Sequence, residues 1–168
     1  VLGLRLPAEL DDRYHFRDQI PADQRPVVFV GPYEHHSNEL PWRESIADVV
    51  TIHEDADGHI DQVQLAAELK RHANRPLKIG SFSAASNVTG ILTDTCGIAD
   101  LLHRHGALSF WDFAAAGPYV DIDMHPAQPD QKLDAIFFSP HKFLGGPGAS
   151  GVLVMDQGLY RNEVPDQP

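Results

Sequence analysis

An α/β fold is what the sequence predicts: a three-layer sandwich in which a mostly parallel sheet lies between helices. Three observations lead there. Short apolar runs of strand length recur along the chain, helical periodicity fills the gaps between several of them, and no segment repeats or collapses into low complexity. Taken in order, the strand-like runs are "PVVFVG" (26–31), "DVVTIHE" (48–54), "LKIGSFS" (77–83), "ALSFWD" (107–112), "AIFFSP" (135–140) and "GVLVM" (151–155). The run through Ala135, Ile136, Phe137 and Phe138 has no polar alternation and reads as covered on both faces. Between the second and third runs a helix is expected from Asp61 to His72, with Val63, Leu65, Ala67 and Leu69 toward the sheet. In "CGIADLLHRHG", Ile98, Leu101, Leu102 and His105 recur at i, i+3, i+4 and i+7; Thr93 or Asp94 supplies a cap and Gly106 a stop. The Pro- and Gln-containing stretch "DMHPAQPDQKL" (123–133) reads as a surface connection, because the strand pattern resumes directly after it.

The chain has 168 residues, 42% hydrophobic and 22% charged, which suits a single domain over residues 1–168. A formal net charge of -11 argues against nucleic acid and against an anionic membrane surface, since both require a basic face. The longest uncharged stretch, Ile79 to Thr93, is broken by Ser, Asn, Thr and Gly and does not read as a membrane span. Cys96 is the only cysteine, so no internal disulfide is expected and a reducing, cytoplasmic setting fits. At the start of an outer helix, Cys96 itself reads as a small packed side chain. "VLGLRLPAEL" reads as the continuation of something earlier and "NEVPDQP" as a stop without a capping element, so a piece of a larger domain is expected.

Chemistry-bearing residues gather where the apolar runs end. Lys142 follows the "AIFFSP" run, Asp112 closes "ALSFWD", His35 and His36 follow "PVVFVG", and Ser86 and Asn87 follow "LKIGSFS". In an open α/β sheet, ligands bind in the crevice at the carboxyl ends of the strands. Taken singly, the lysine reads as solvated and the aspartate as a turn cap. An acid and an amine at one sheet edge weaken both ordinary readings. Adjacent histidines diverge, and no Cys, Glu or i+4 His completes a tetrahedral set, so no metal site is expected. Gly146, Gly148 and Gly151 spell G-x-G-x-x-G but precede a strand instead of a helix, which removes the anion-binding helix terminus the motif needs. Ser139 to Lys142 spells S-x-x-K without the helix and K-T-G strand that accompany it in serine acyl-transfer enzymes.

The ordered set "EHHSN", "SNVTG", "GALSFWDFAAAGPYVDIDM" and "FSPHKFLGGPGASGVL" resembles the class V aminotransferase family of fold-type I enzymes, which includes cysteine desulfurases, selenocysteine lyases and isopenicillin N epimerase-like proteins. The likeness runs from about Pro26 to Met155. It implies a pyridoxal 5′-phosphate (PLP) enzyme acting on a small amino-acid substrate by transamination, epimerisation, or cysteine desulfuration or lyase chemistry, and a homodimer in the intact enzyme. The fold implied is the large domain of the PLP-dependent transferases, here incomplete and without the small C-terminal domain. By the same resemblance, Lys142 carries the cofactor as a Schiff base and serves as the base at the α-carbon. Asp112 pairs with the pyridinium nitrogen and His35 stacks on the ring. Ser139 and His141 match phosphate-binding positions, and Asn87 matches a residue near the ring hydroxyl and substrate carboxylate. Where many members carry a glutamine bonded to the ring oxygen, this chain has Ala115. The phosphate-binding glycine/threonine turn, the substrate-binding arginine and the desulfurase cysteine have no counterpart in this chain, which alone is expected to bind the cofactor poorly and to be inactive. A non-catalytic α/β binding or assembly module that keeps the fold without cofactor is the alternative from another class.

Overall fold

The computed structural model describes residues 2–160. A six-stranded sheet runs β2-β1-β3-β4-β5-β6, with β1 Val27–Val30, β2 Asp48–Thr51, β3 Lys78–Ser83, β4 Leu108–Asp112, β5 Ala135–Phe138 and β6 Val152–Met155. All pairings are parallel except the last, where β6 runs antiparallel to β5 along the edge. The expected fold class is therefore the observed one.

Alternation along each strand sorts the core into two layers. Val27 and Phe29 of β1, Phe82 of β3, Trp111 of β4 and Ile136 of β5 point to one face. There they meet Leu65 and Leu69 of α3 (Gln62–Arg71) and Ile98 and Leu102 of α4 (Thr95–Arg104). Val28, Val30, Ile79, Phe110 and Ala135 point to the other, where Trp42 of α2 (His36–Arg43) and the segment through Leu2 and Leu4 cover them. The short α1 (Ala8–Tyr14) buries no side chain. Gly80 sets the depth of α4 on the sheet. A Cβ there would lie 2.6 Å from a methyl of Leu102 and 2.7 Å from the Phe82 ring.

Helix ends follow capping chemistry. Asp61 accepts the N–H groups of Val63 and Gln64, both at 2.9 Å, and Asp94, not Thr93, caps α4 by accepting Gly97 N at 2.9 Å. Gly106, at φ +66°, turns the chain out of α4 as a left-handed residue.

Three expectations need correction. Val63 is 82% exposed and Ala67 is also exposed, because residues two apart on a helix point about 200° apart and Leu65 and Leu69 hold the sheet side. Cys96 is exposed on the first turn of α4, one position outside the stripe formed by Ile98, Ala99 and Leu102. Phe137 and Phe138 are half-buried and β6 is mostly exposed, since no described helix lies over that edge of the sheet.

Among the described residues no helix is long and apolar enough to cross a membrane, and no group of three or more His, Cys, Asp or Glu side chains could hold a metal ion.

Candidate functional site

Register brings the strand ends level. Ser83, the last residue of β3, stands opposite Asp112, the last of β4, and Asp112 stands opposite Phe137 of β5. The chain leaves each strand at this one edge: Gly31 to His35 after β1, Ala84 to Asn87 after β3, Phe113 after β4, and Ser139 to Lys142 after β5. Lys142 closes a single 3₁₀ turn, Pro140–Lys142, whose backbone bond runs from Lys142 N to the Ser139 carbonyl at 2.9 Å. Its side chain is exposed. The turn is tight enough that a Cβ on Gly146 would collide with the Pro140 carbonyl at 1.9 Å, so glycine is required where the chain doubles back.

Asp112 is 5% exposed, yet it receives little from the protein. Oδ1 accepts Ala114 N at 2.8 Å, and Oδ2 has no hydrogen-bond donor among the described residues. Burial pushes its carboxyl above the ordinary carboxylate range, while the Ala114 N–H and the influence of Lys142 and His35 pull the other way. Both side chains are therefore within electrostatic reach of the same carboxylate.

His35 has a second function that its sequence position did not reveal. It is the N-cap of α2, with Nδ1 accepting Ser37 N at 3.3 Å and lying 2.8 Å from Ser37 Oγ. Asn87 lies exposed on the turn after β3, where Ser86 Oγ accepts the N–H groups of Val88 and Thr89 at 3.2 and 3.1 Å. Ser139 is half-buried and His141 exposed on the same turn as Lys142.

A sequence model of the aminotransferase class-V family matches residues 17–164. The chain belongs to the class V aminotransferase family. Within it, the chain is 31% identical over 130 residues to a probable cysteine desulfurase of Halalkalibacterium halodurans, covering 75% of this chain and 30% of that protein. Against a probable cysteine desulfurase of Staphylococcus aureus the identity is 32% over 142 residues, 82% of this chain and 32% of the relative. The crystal structure of the cysteine desulfurase CsdA from Escherichia coli superposes with a TM-score of 0.68 at 27% identity, over 85% of this chain and 34% of that one. Alanine–glyoxylate aminotransferase from Nostoc sp. shares the fold, with a TM-score of 0.65 at 22% identity over 88% of this chain and 40% of that one. This chain spans about a third of the length of the curated relatives it matches.

The strand-end residues expected from the resemblance lie along one edge: Lys142 and His35 within electrostatic reach of Asp112, Ser139 and His141 on the turn of the lysine, and Asn87 out on its own turn. Sequence reasoning passed over Glu34. Its Oε1 accepts Gly31 N at 3.2 Å and Ser83 N at 2.9 Å, and its Oε2 accepts Asn38 Nδ2 at 2.6 Å and Ser83 Oγ at 2.7 Å. Asn38, 2% exposed, in turn accepts Ser81 Oγ at 2.6 Å. Burial is the main force raising the Glu34 carboxyl's pKa, opposed by the Ser83 and Asn38 bonds and reinforced by Asp112. The one sequence signal was an acidic residue four positions beyond a wholly apolar strand.

Proposed function

We propose that this chain is the central, cofactor-holding part of the large domain of a PLP-dependent enzyme that acts on an amino acid. The observation that carries the reading is Asp112: a buried carboxylate with one oxygen that no donor among the described residues reaches, under the influence of both a lysine and a histidine at the end of the sheet. Such a donor set fits a pyridoxal ring, which needs an anion for its ring N–H, a flat partner for its face and an amine for its carbonyl carbon.

In this reading Asp112 holds the proton on the ring nitrogen, and its burial strengthens that ion pair relative to one in water. His35, fixed by its α2 cap, provides the stacking face. Ser139 and His141 donate to the phosphate, and Asn87 to the ring hydroxyl and substrate carboxylate. Lys142 would be the amine that holds the cofactor's carbonyl carbon, and its free amine would be the base that moves the proton at the α-carbon. When bound, the cofactor supplies the electron sink that makes that proton removable. Ala115 leaves the ring oxygen without the amide contact common in the family.

The named relatives share this region and differ in reaction, so the proposal stands at the level of amino-acid chemistry on PLP, covering transamination, epimerisation and desulfuration. A homodimeric intact enzyme and a cytoplasmic setting belong to the same proposal. The test is borohydride reduction of the intact enzyme with PLP, followed by peptide mapping. The label is expected on Lys142. Label on Lys70, Lys78 or Lys132, or none at all, overturns the assignment, and the last result favours the cofactor-free module.

A further inference from the structure

Glu34 occupies an unusual position for a carboxylate. It is partly buried, four donors converge on its two oxygens, and those donors come from three separate places: the exit of β1 at Gly31, the last residue of β3 at Ser83 and the first turns of α2 at Asn38. Gly31 is shaped to admit it, since a Cβ there would lie 2.6 Å from Glu34 Oε1. The residue joined to it in the chain is His35, which caps α2, and the strand that receives it pairs at Ser83 with Asp112. The amide of Ala84, next after Ser83, donates to the Asp112 carbonyl at 2.9 Å. Glu34 thus ties the loop that carries the histidine to the strand end that abuts the aspartate. Among the described residues, nothing else in the loop from Pro32 to His35 makes a hydrogen bond across to β3.

We propose that Glu34 is a positioning residue for the candidate pyridoxal site: by clamping the β1–α2 loop onto the end of β3, it holds the His35 ring at the Asp112 carboxylate. This rests on the pyridoxal reading of the site, but the clamp itself is a property of the protein without ligand. A carboxylate suits the task because both of its oxygens accept and the site presents only donors. An amide in its place keeps the shape and turns one acceptor into a donor, which then meets the Asn38 amide nitrogen and the Ser83 hydroxyl.

The experiment compares wild type, Glu34→Gln, Ser83→Ala and His103→Gln, the last a destabilised control that loses the bond to Asp134 at the other end of α4. Backbone order parameters of residues 32–35 are measured by 15N relaxation without ligand, and PLP capture by titration and borohydride trapping. Glu34→Gln is expected to drop the loop from rigid values near 0.85 to below about 0.6 and to weaken PLP capture at least tenfold. Ser83→Ala, which removes one of the four donors and folds even if the amide variant does not, is expected to shift both readings in the same direction by less. His103→Gln lowers the melting temperature and moves neither. The double variant Glu34→Gln, Asn38→Asp returns an acceptor to the amide and is expected to restore loop order. Unchanged order in residues 32–35 for both Glu34→Gln and Ser83→Ala overturns the clamp. If wild type captures no PLP, the pyridoxal reading fails while the relaxation data still decide the clamp.

Discussion

Asp112 shows how a residue suited to a ligand can be unsuited to its own fold. Its folded pKa is raised, chiefly by burial, so the folded chain holds the proton more tightly than the unfolded chain does. The stabilisation from this group is complete below the unfolded value near 3.9, declines as pH climbs toward the raised folded value, and is lost above it, where the buried charge is a net cost. Asp112→Asn keeps an oxygen for the Ala114 N–H and removes the charge. Its melting temperature at pH 7 is therefore expected to exceed that of wild type, while PLP affinity falls at least about tenfold, or about 1.4 kcal/mol. Calorimetry beside a PLP titration checks both. A lower melting temperature would mean that Lys142 and His35 more than offset the burial of the carboxylate.

Elements are locked to one another by a second buried carboxylate, at the opposite edge of the sheet. Asp134, just before β5, accepts Ser109 N from β4 at 2.8 Å, lies 2.7 Å from His103 Nε2 in the last turn of α4, and pairs with Lys132 at 2.9 Å. His103 Nδ1 faces the Asp130 carbonyl at 2.7 Å, so both ring nitrogens meet acceptors, an arrangement that favours the imidazolium. The Asp134 bond, the strongest influence on His103, raises its pKa; for Asp134, burial is outweighed by the His103, Ser109 and Lys132 contacts, and its pKa is lowered. The histidine's contribution is fully present below its unfolded value of about 6.5 and is lost as pH rises through the raised folded value. The aspartate's contribution is present above about 3.9 and is lost as pH falls through the lowered folded value. The lock is expected to be strongest between about pH 4 and about pH 6.5. Urea midpoints measured from about pH 6 to about pH 9 should fall in wild type and flatten in His103→Gln; parallel profiles would refute the lock.

For the molecule as a whole, the two sheet faces are unequally covered. One carries α3 and α4; the other has α2 and the N-terminal segment and leaves a groove of about 390 Å³ whose lining includes Trp42, Phe110, Phe137, Leu153 and Met155. Beside it, β6 is an edge strand with no further partner among the described residues, and Val152, Leu153 and Val154 are at 37%, 51% and 42% exposure. An apolar open edge is a template for intermolecular pairing. The purified chain is expected to bind a hydrophobic dye in its folded state and to associate as concentration rises, and Val154→Lys is expected to suppress the association without lowering the melting temperature by more than a few degrees. Light scattering across a concentration series gives the answer, and equal scattering from the two proteins would remove β6 as the cause.

The sequence by itself determined the sheet and where its strands end. Runs such as "PVVFVG" and "ALSFWD" have no polar alternation, which only a strand covered on both faces tolerates, and the break in each run marks the carboxyl edge where Lys142, Asp112 and His35 lie. Periodicity was less decisive for α3, because Val63 and Leu65 are both apolar and only packing could choose which of them meets the sheet. Cys96 reads as packed and β6 as an ordinary strand from sequence for a related reason: exposure depends on what lies overhead, which is set by elements distant in the chain. Tertiary structure alone decided the Glu34 clamp and the Asp134 lock. Glu34 meets Ser83 across 49 positions and Asp134 meets His103 across 31, and no local preference encodes contacts that exist only once parallel strands and their crossover helices have closed on one another.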